Sequence, residues 1–376
     1  VEVAVAVTNR AILLAAAALP GVAMAETPPE QTTLSVKYLD YQERQHNLDR
    51  IHVKSPSLDL TLPLNGEWSL RAGLVYDAIS GASPRYHTAL SGASQFREQR
   101  KAGDVAVTRY FHRSTVTVAA GRSTEHDYDS NFASLRGSIS SDDNNTTWQF
   151  GAGVSNDTIN PVNLAVIDER KHTTDLMVGV TQVLTQRDIV QAVLTHARGR
   201  GYYTMPYKYV DNRPREKDQD TLLLRWNHHL DQHAASLRLS YRYFHDSYGM
   251  TAHTLGAELV KELPGGWTLV PSLRLHTQSA ADFYFDPVYD RRFGAPFPPG
   301  YIFGNNALMT ADQRLSAFGA ATFGIKVEKE ISANTSIDIK FEDYKQRSSW
   351  RQFGTGSPGL ANLGARSIIV GVTHRW

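Results

Sequence analysis

Along most of the chain, apolar and polar side chains alternate one for one. Leu58, Leu60, Leu62 and Leu64 alternate with Ser57, Asp59 and Thr61, and Trp68, Leu70, Ala72, Leu74 and Tyr76 alternate with Ser69, Arg71, Gly73 and Asp77. Trp148, Phe150, Ala152 and Val154 oppose Thr147, Gln149, Gly151 and Gly153, while Leu222, Leu224 and Trp226 oppose Thr221, Arg225 and Asn227. Ala235, Leu237, Leu239, Tyr241 and Tyr243 stand against Ser236, Arg238, Ser240 and Arg242. Trp267, Leu269, Leu273 and Leu275 oppose Thr268, Ser272, Arg274 and His276, and Ile337, Ile339 and Phe341 oppose Asp338, Lys340 and Glu342. A period of two puts successive side chains on opposite faces of an extended strand, whereas a helix repeats near 3.6. Weaker alternation near residues 32–42, 103–112, 114–123, 131–140, 172–184, 187–198, 252–263, 313–328 and 364–376 brings the expected total to about sixteen strands.

The connections alternate as well. Short ones carry turn residues: Asn65-Gly66, His112-Arg113, Asp142 to Asn145, Gln186-Arg187, Asp231-Gln232, Pro264-Gly265-Gly266 and Ala333-Asn334. Long polar ones are expected near 43–50, 78–100, 124–130, 156–171, 200–218, 245–251, 282–311 and 346–363. Strict short and long alternation is what periplasmic turns and extracellular loops produce in an outer-membrane barrel with both chain ends in the periplasm.

A soluble β-sandwich would alternate too, so the pattern alone does not say which face is inside. Aromatic residues concentrate at expected strand ends: Tyr38, Tyr41, Trp68, Tyr76, Tyr110, Phe111, Tyr202, Tyr203, Tyr241, Tyr243, Phe244, Tyr284 and Trp376. That distribution fits girdles at two membrane interfaces. No blade-length repeat supports a propeller. The final strand, Ser367 to Trp376, resembles the terminal assembly signal of bacterial outer-membrane proteins at Gly371 and Trp376, and departs from it at Ile369 and His374.

The amino terminus sets the compartment. Arg10 precedes an apolar run from Ala11 to Ala25 that closes on the small-x-small triplet Ala23-Met24-Ala25 and gives way to Glu26-Thr-Pro-Pro-Glu-Gln. This reads as an export signal at residues 1–25, cleaved after Ala25, ahead of one barrel domain at 26–376. Beyond it no apolar run approaches the roughly 18 residues of a spanning helix, so membrane residence must use strands.

Composition then removes alternatives. Among 376 residues, Lys and Arg total 39 against 38 for Asp and Glu, which gives no support for a nucleic-acid partner. The chain has no cysteine, which excludes disulfides, thiolate metal sites and cysteine nucleophiles. A hydrophobic fraction of 41% and a mean hydropathy of −0.36 are too polar for helical spans, yet compatible with strands of which one face meets lipid.

The stretch Val75-Tyr-Asp-Ala-Ile-Ser-Gly-Ala-Ser-Pro84 resembles a motif of a poorly characterised family of bacterial outer-membrane β-barrel proteins known as a domain of unknown function. The leader, the length, the Asn212-Arg213-Pro214 segment and the last strand are compatible with it over nearly the whole chain. The resemblance implies a fold and a location without an activity. It also implies genomic neighbours of a flavin-transferase lipoprotein and thioredoxin-like type, hence periplasmic or surface lipoprotein partners.

Candidate chemistry is sparse. Glu125-His-Asp-Tyr-Asp129 offers donors for a divalent ion, although a solvated loop explains it as well. In the longest loop, Asp282, Asp286 and Asp290 recur at a spacing of four among Tyr284 and Tyr289, a candidate constriction or ligand loop. Tyr202 to Tyr209 is a second aromatic tract, suited to sugar stacking, partner contact or interface anchoring. His245-Asp246-Ser247 is the best enzyme-like constellation, but adjacent strand residues point to opposite faces, so His245 and Asp246 do not simply cooperate. The chain is therefore expected to be non-enzymatic and to need no cofactor.

The inner face is more informative. If the apolar face meets lipid, then Arg71, Arg136, Arg225, Arg238, Arg242, Glu258, Arg274, His276, Asp338, Lys340 and Glu342 line a lumen together with Lys37 and Asp59. Such a set is a self-neutralising wall of ion pairs, the lining of a polar pore with a transverse field and a mild preference for polar or anionic solutes, or a lumen that holds a partner. The expected architecture is all-β: one transmembrane antiparallel up-and-down β-barrel with short periplasmic turns and long extracellular loops. The expected role is a pore or conduit for small polar solutes; the alternative is a scaffold for lipoprotein partners. Outer-membrane lipid, lipopolysaccharide and the barrel assembly machinery are the expected surroundings.

Overall fold

The computed structural model describes residues 27–45, 48–82, 95–208, 210–286, 288–290, 295–297, 302, 304 and 306–376. The expected leader at 1–25 lies outside the described residues, as do Ser83, Pro84 and Tyr209.

The first half of the chain forms β1 (Thr33–Gln45), β2 (Leu48–Pro63), β3 (Trp68–Ala82), β4 (Gln95–Tyr110), β5 (Ser114–Thr124), β6 (Tyr128–Ser140), β7 (Thr146–Ile159), β8 (Glu169–Val183) and β9 (Asp188–Gly201). After β10 (Asp211–Asn212) come β11 (Glu216–Leu230), β12 (Ala235–Asp246), β13 (Thr251–Leu263) and β14 (Trp267–Gln278). The short β15 (Val288–Asp290), β16 (Ala295–Phe297) and β17 (Met309–Thr310) precede β18 (Phe318–Ser332), β19 (Thr335–Arg347) and β20 (Leu363–Arg375). Sixteen of these, all but β10, β15, β16 and β17, pair with their neighbours in one closed antiparallel barrel. Closure runs from Thr33↔Arg375 to Arg44↔Gly364 between β1 and β20. It is extended by reciprocal amide bonds between Thr32 and Trp376 at 3.0 and 3.1 Å. No edge strand is left in the barrel, which is the condition for a sheet in hydrocarbon.

Burial decides the two faces. Leu74, Val118, Leu135, Phe150 and Leu176 are exposed, whereas Ser69, Thr115, Ser130, Ser155 and Asp175 on the alternate positions are buried. A wall one strand thick can bury only what faces its own interior, so the polar set points into the barrel and the apolar set points out. This inverts a soluble sandwich. Five of the six tryptophans, Trp68, Trp148, Trp226, Trp267 and Trp376, lie on the outward face toward the rim that holds the short turns, the start of β1 and the end of β20. Arg109 covers Trp68 at 4.9 Å and Lys329 covers Trp267 at 5.2 Å, as expected where rings and cations meet lipid headgroups.

Two expectations need correction. The connections expected to be long near 43–50, 124–130 and 245–251 are short, because β1, β2, β5, β6, β12 and β13 continue past the apolar band as paired hairpins. Polar outward residues there read as loop, yet ladder pairing does not require apolar side chains once the strand has left the lipid. The aromatic girdle is also smaller than expected. Tyr41 and Tyr110 face inward, where they bond Glu43 and Ser69 at 2.9 Å each. Phe244 and Tyr284 pack on a cluster of Tyr248, Met250, Ala281 and Leu315.

One glycine shapes the interior. Gly121 faces Phe132 across the β5–β6 ladder. A Cβ there would lie 2.5 Å from the ring, so the phenyl lies flat on bare backbone and does not project into the lumen.

Candidate functional site

Inward positions along the wall, from the short-turn rim up to His276 near the far end of β14, carry charged and polar side chains. Arg71 pairs closely with Asp59 and lies 3.9 Å from Asp104. Lys340 meets Glu342 at 2.9 Å and Lys326 meets Glu328 at 2.7 Å, each pair on one strand two residues apart. Arg225 donates to the Gln191 side chain at 3.1 Å, Arg274 reaches Thr322 Oγ1 at 3.5 Å, and His276 lies between Thr254 Oγ1 at 2.9 Å and Gln278 Oε1 at 3.1 Å. Arg238 faces Glu258 across the β12–β13 ladder without an ion pair among the described residues. Arg242 and Arg136 share the inward parity, opposite Thr254 and Gly151. Asp338 is buried beside Gly371. The inward positions therefore hold both paired and exposed charge.

Toward the other rim the interior becomes dry. Asp77 and Arg100, opposite each other on β3 and β4, form an ion pair with each side chain only 1% exposed. Asp157 accepts from Tyr128 Oη at 2.5 Å and Ser130 Oγ at 2.6 Å, while Lys171 Nζ sits 3.0 Å from it and 2.7 Å from the same phenol. Lys217 pairs with Asp246 at 3.1 Å and lies over the Tyr248 ring at 4.7 Å. Buried charge of this kind persists only where each group finds partners, since an isolated one would be strongly disfavoured.

Above these pairs the described residues of two connections, 202–215 and 279–317, meet in a cap. β10 pairs with β17, and Tyr284 bridges to Thr310. At the centre, Arg213 donates to Asp211 at 2.8 Å and to Asp312 at 2.8 Å, with Thr310 Oγ1 adding a bond to Asp211 at 2.6 Å and Arg314 bracing Asp312 at 2.5 Å. Burial opposes ionisation of Asp312, but the guanidinium groups of Arg314 and Arg213 outweigh it and hold the carboxyl well below the usual carboxylate range. The cap is tied to the wall through Gln278, an inward residue of β14 that donates to the carbonyls of Arg314 at 2.9 Å and Ser316 at 2.7 Å.

Several residues singled out in the sequence are not brought together. Asp282 is exposed over Gly249, Asp286 accepts from Tyr284 Oη at 3.3 Å, and Tyr289 and Asp290 lie in β15 with side chains outside the described set. Among the described residues no group of three acidic or histidine side chains is placed to hold a metal ion. Of the 125–129 stretch, Asp129 pairs with Arg122 at 2.6 Å, Asp127 accepts from Tyr207 Oη at 2.6 Å, and His126 approaches Glu98 at 3.7 Å. His245 faces outward near Thr251, whereas Asp246 is buried and accepts the amides of Tyr248 and Met250 at 3.0 Å each. The aromatic tract belongs to the cap: Tyr203 meets Tyr248 edge-on at 6.3 Å and Tyr202 lies under Arg215.

The residues missed in the sequence are buried or nearly buried ones: Asp77, Arg100, Asp157, Lys171 and Lys217. Strand parity was the available signal, since each is a charge at an inward position. The bond between Arg213 and Asp312 had none, because 99 residues separate them.

Two outcomes follow for this half of the molecule. Replacing Arg213 with Met removes the cation that Asp211 and Asp312 share, leaving Asp312 to Arg314 and Asp211 without an ion pair among the described residues, a local cost of about 3–5 kcal/mol. Hydrogen exchange should then accelerate in 204–213 and 306–315 while the barrel strands keep their protection; unchanged loop protection contradicts the role given to Arg213. Glu125, in the β5–β6 connection, is pushed from its ordinary 4.5 up to about 7, first by burial and then by Asp127, Glu98 and Asp77, against Arg100. The folded protein thus binds more protons than the unfolded chain between about 4.5 and 7, so stability falls as pH rises through that window. Glu125→Gln should raise stability at pH 8 on the order of 1–3 kcal/mol and flatten the dependence between pH 5 and pH 8, read by denaturant unfolding in vesicles.

The comparisons with known proteins agree with this architecture. The family model described as "Protein of unknown function (DUF3570)" matches residues 9–95, 89–169 and 164–366. The curated proteins give no match. Among solved structures, a "Bacterial polysaccharide outer membrane secretin" aligns at TM-score 0.54 and 10% identity over 92% of this chain and 98% of that one. CdiB from Acinetobacter baumannii aligns at 0.49 and 9% over 90% and 60% of the respective chains. Pseudomonas aeruginosa OccK2 (OpdF), solved in complex with glucuronate, aligns at 0.44 and 10% over 92% and 98%. At 10% identity the first is a likeness of fold, and the lower scores add nothing to it. Matched by that family model over most of its length, the chain belongs to the DUF3570 family of proteins of unknown function, and its fold is a closed barrel like those of outer-membrane proteins.

Proposed function

We propose that this barrel is a non-catalytic passage for small polar solutes across the outer membrane, with the charged interior as the selective surface. The observation that carries the reading is the inversion of faces, with charges such as Arg238 solvent-exposed inside a wall whose outside is apolar. Barrels of about sixteen strands are wide enough to leave an aqueous channel. In barrel order, β11 to β14 stand across the lumen from β2 to β5. Arg225, Arg238, Arg242 and Arg274, with Glu258 among them, therefore confront Asp59 and Asp104, which share Arg71, and the net field between the two sides supports a mild preference for polar or anionic solutes. The cap sets what reaches that field from outside. In planar bilayers the folded protein should give discrete conductance steps, and reversing Arg238, Arg242 and Arg274 to Glu should move the reversal potential toward cations. Absence of any step from folded protein excludes the passage.

A second reading, a scaffold for a surface lipoprotein partner, has one observation in its favour. The 160–168 loop presents Val162, Leu164 and Ile167 at 69%, 74% and 71% exposure. The loop is held in place by Tyr207 Oη, which accepts the Val162 amide at 3.0 Å, and by Asn163 Nδ2 donating to Pro206 O at 3.0 Å. An apolar knob fixed on a polar loop is suited to an apolar partner surface. Purification from native membranes should return a partner that Leu164→Ser with Ile167→Ser releases; a barrel recovered alone counts against this reading.

A further inference from the structure

One connection turns away from the mouth and lies against the outside of the wall. Residues 348–362 join β19 to β20, and their first half crosses the outward faces of β13, β14 and β18. Three contacts fix it there. Gly319 faces outward on β18, in register with Thr277 and Arg347. A Cβ at this position would come within 2.1 Å of the Trp350 carbonyl oxygen, so bare backbone is what allows the loop to touch the strand. On the neighbouring strand, Thr277 Oγ1 accepts the Gln352 amide at 2.9 Å and donates to the Gln352 carbonyl at 3.3 Å. Beyond it, the Phe353 ring sits 5.2 Å from His253, an outward residue of β13 whose Nδ1 is 2.7 Å from the Tyr241 phenol.

The loop holds Phe353 in an unusual state. The side chain is 82% exposed, more than any other large apolar side chain described. Its backbone has φ +61°, a left-handed conformation that bulky residues rarely adopt. One rung below its contacts, toward the middle of the barrel, run Leu255, Leu275 and Ala321. Phe353 therefore stands at the upper edge of the lipid-facing band.

Around it the charge is one-sided. Lys345 and Arg347 point outward from β19, Arg366 from β20, and Arg351 lies in the loop itself. Asp343 is the outward carboxylate among them, 3.2 Å from Lys345 and 3.0 Å from Arg366, while Asp40 on β1 is engaged by His52 at 3.0 Å. Arg347 lies over the Trp350 ring at 5.0 Å, which orients its guanidinium. Cations directly above exposed acyl-compatible surface, on the extracellular half of the outer wall, complement a phosphorylated lipid of the outer leaflet. They do not complement a second copy of the chain, since a two-fold contact through this patch would bring like charges together.

We propose that this face is a docking site for one lipopolysaccharide molecule, with lipid A phosphate on Arg347, Arg351, Lys345 and Arg366 and an acyl chain against Phe353 and the Leu255–Leu275 row. The site rests on the barrel standing in the outer membrane and is independent of whether the lumen conducts. It is tested with full-length folded protein in detergent, using lipid A and enzymatically dephosphorylated lipid A as probes and native mass spectrometry as the readout. Lipid A should bind one to one; loss of its phosphates, or Arg347→Ala with Arg351→Ala, should weaken binding about tenfold or more. Phe353→Ser should weaken both probes alike. Heat-modifiable mobility on gels shows that each variant has folded. Equal binding of the two probes to the wild type, or no effect of the paired Arg variants, overturns the proposal. So does a dimer that Phe353→Ser dissociates, because a second copy would then own the face.

Discussion

Everything in this molecule depends on the closure of β1 against β20. In hydrocarbon no solvent satisfies a backbone amide or carbonyl, and each one left open is costly, so a membrane sheet is viable only without edges. The ladder from Thr33↔Arg375 to Arg44↔Gly364 supplies the last row of partners. Trp376, bonded through its backbone to Thr32, seals the rim at the start of β1 and the end of β20. Once the sheet is closed, apolar side chains gain by facing lipid and the polar ones have only the interior left. The inverted distribution of Leu176 outside and Asp175 inside follows from closure and strand parity together.

An interior filled with charge would be unstable if left dry and unpaired, and the protein meets this in two ways. Near the short-turn rim, water does the work, and charges such as Arg238 remain exposed inside the wall. Near the opposite rim, buried charges are drawn into pairs: Asp77 with Arg100, Asp157 with Lys171, Asp246 with Lys217, and Arg213 between two aspartates. The boundary between these regimes is the physical content of the site. On the proposed passage, solute selection would belong to the exposed half and closure to the buried half, different uses of the same residue types.

Much of this was legible in the chain. Strand number and turn positions were readable because both rest on local chemistry, as at Asn65-Gly66 and Pro264-Gly265-Gly266, where the turn needs residues that tolerate positive φ. That Arg71, Arg225, Arg274 and Glu342 lie on the face opposite the apolar one was readable for the same reason. Which parity faces inward was not, because a sandwich and a barrel share the alternation and only closure separates them. Loop lengths were overestimated around Glu43 and Asp129, where polar outward residues continue the ladder above the lipid. The cap was invisible, since Arg213 and Asp312 meet only after β11 to β14 have been laid down between them. Phe353 gave no periodic signal, because its meaning lies in a backbone contact with Gly319 on another strand.

The absence of cysteine from the chain makes the central claim directly measurable. Single cysteines placed at Ser134, Thr195 and Ser240 on the inward parity, and at the adjacent Leu135, Leu194 and Leu239, can be challenged in proteoliposomes with a water-soluble, membrane-impermeant thiol reagent. A water-filled interior predicts rapid labelling of the first three and protection of the second three. Labelling of Leu135, Leu194 and Leu239 positions with protection of their inward neighbours would contradict it.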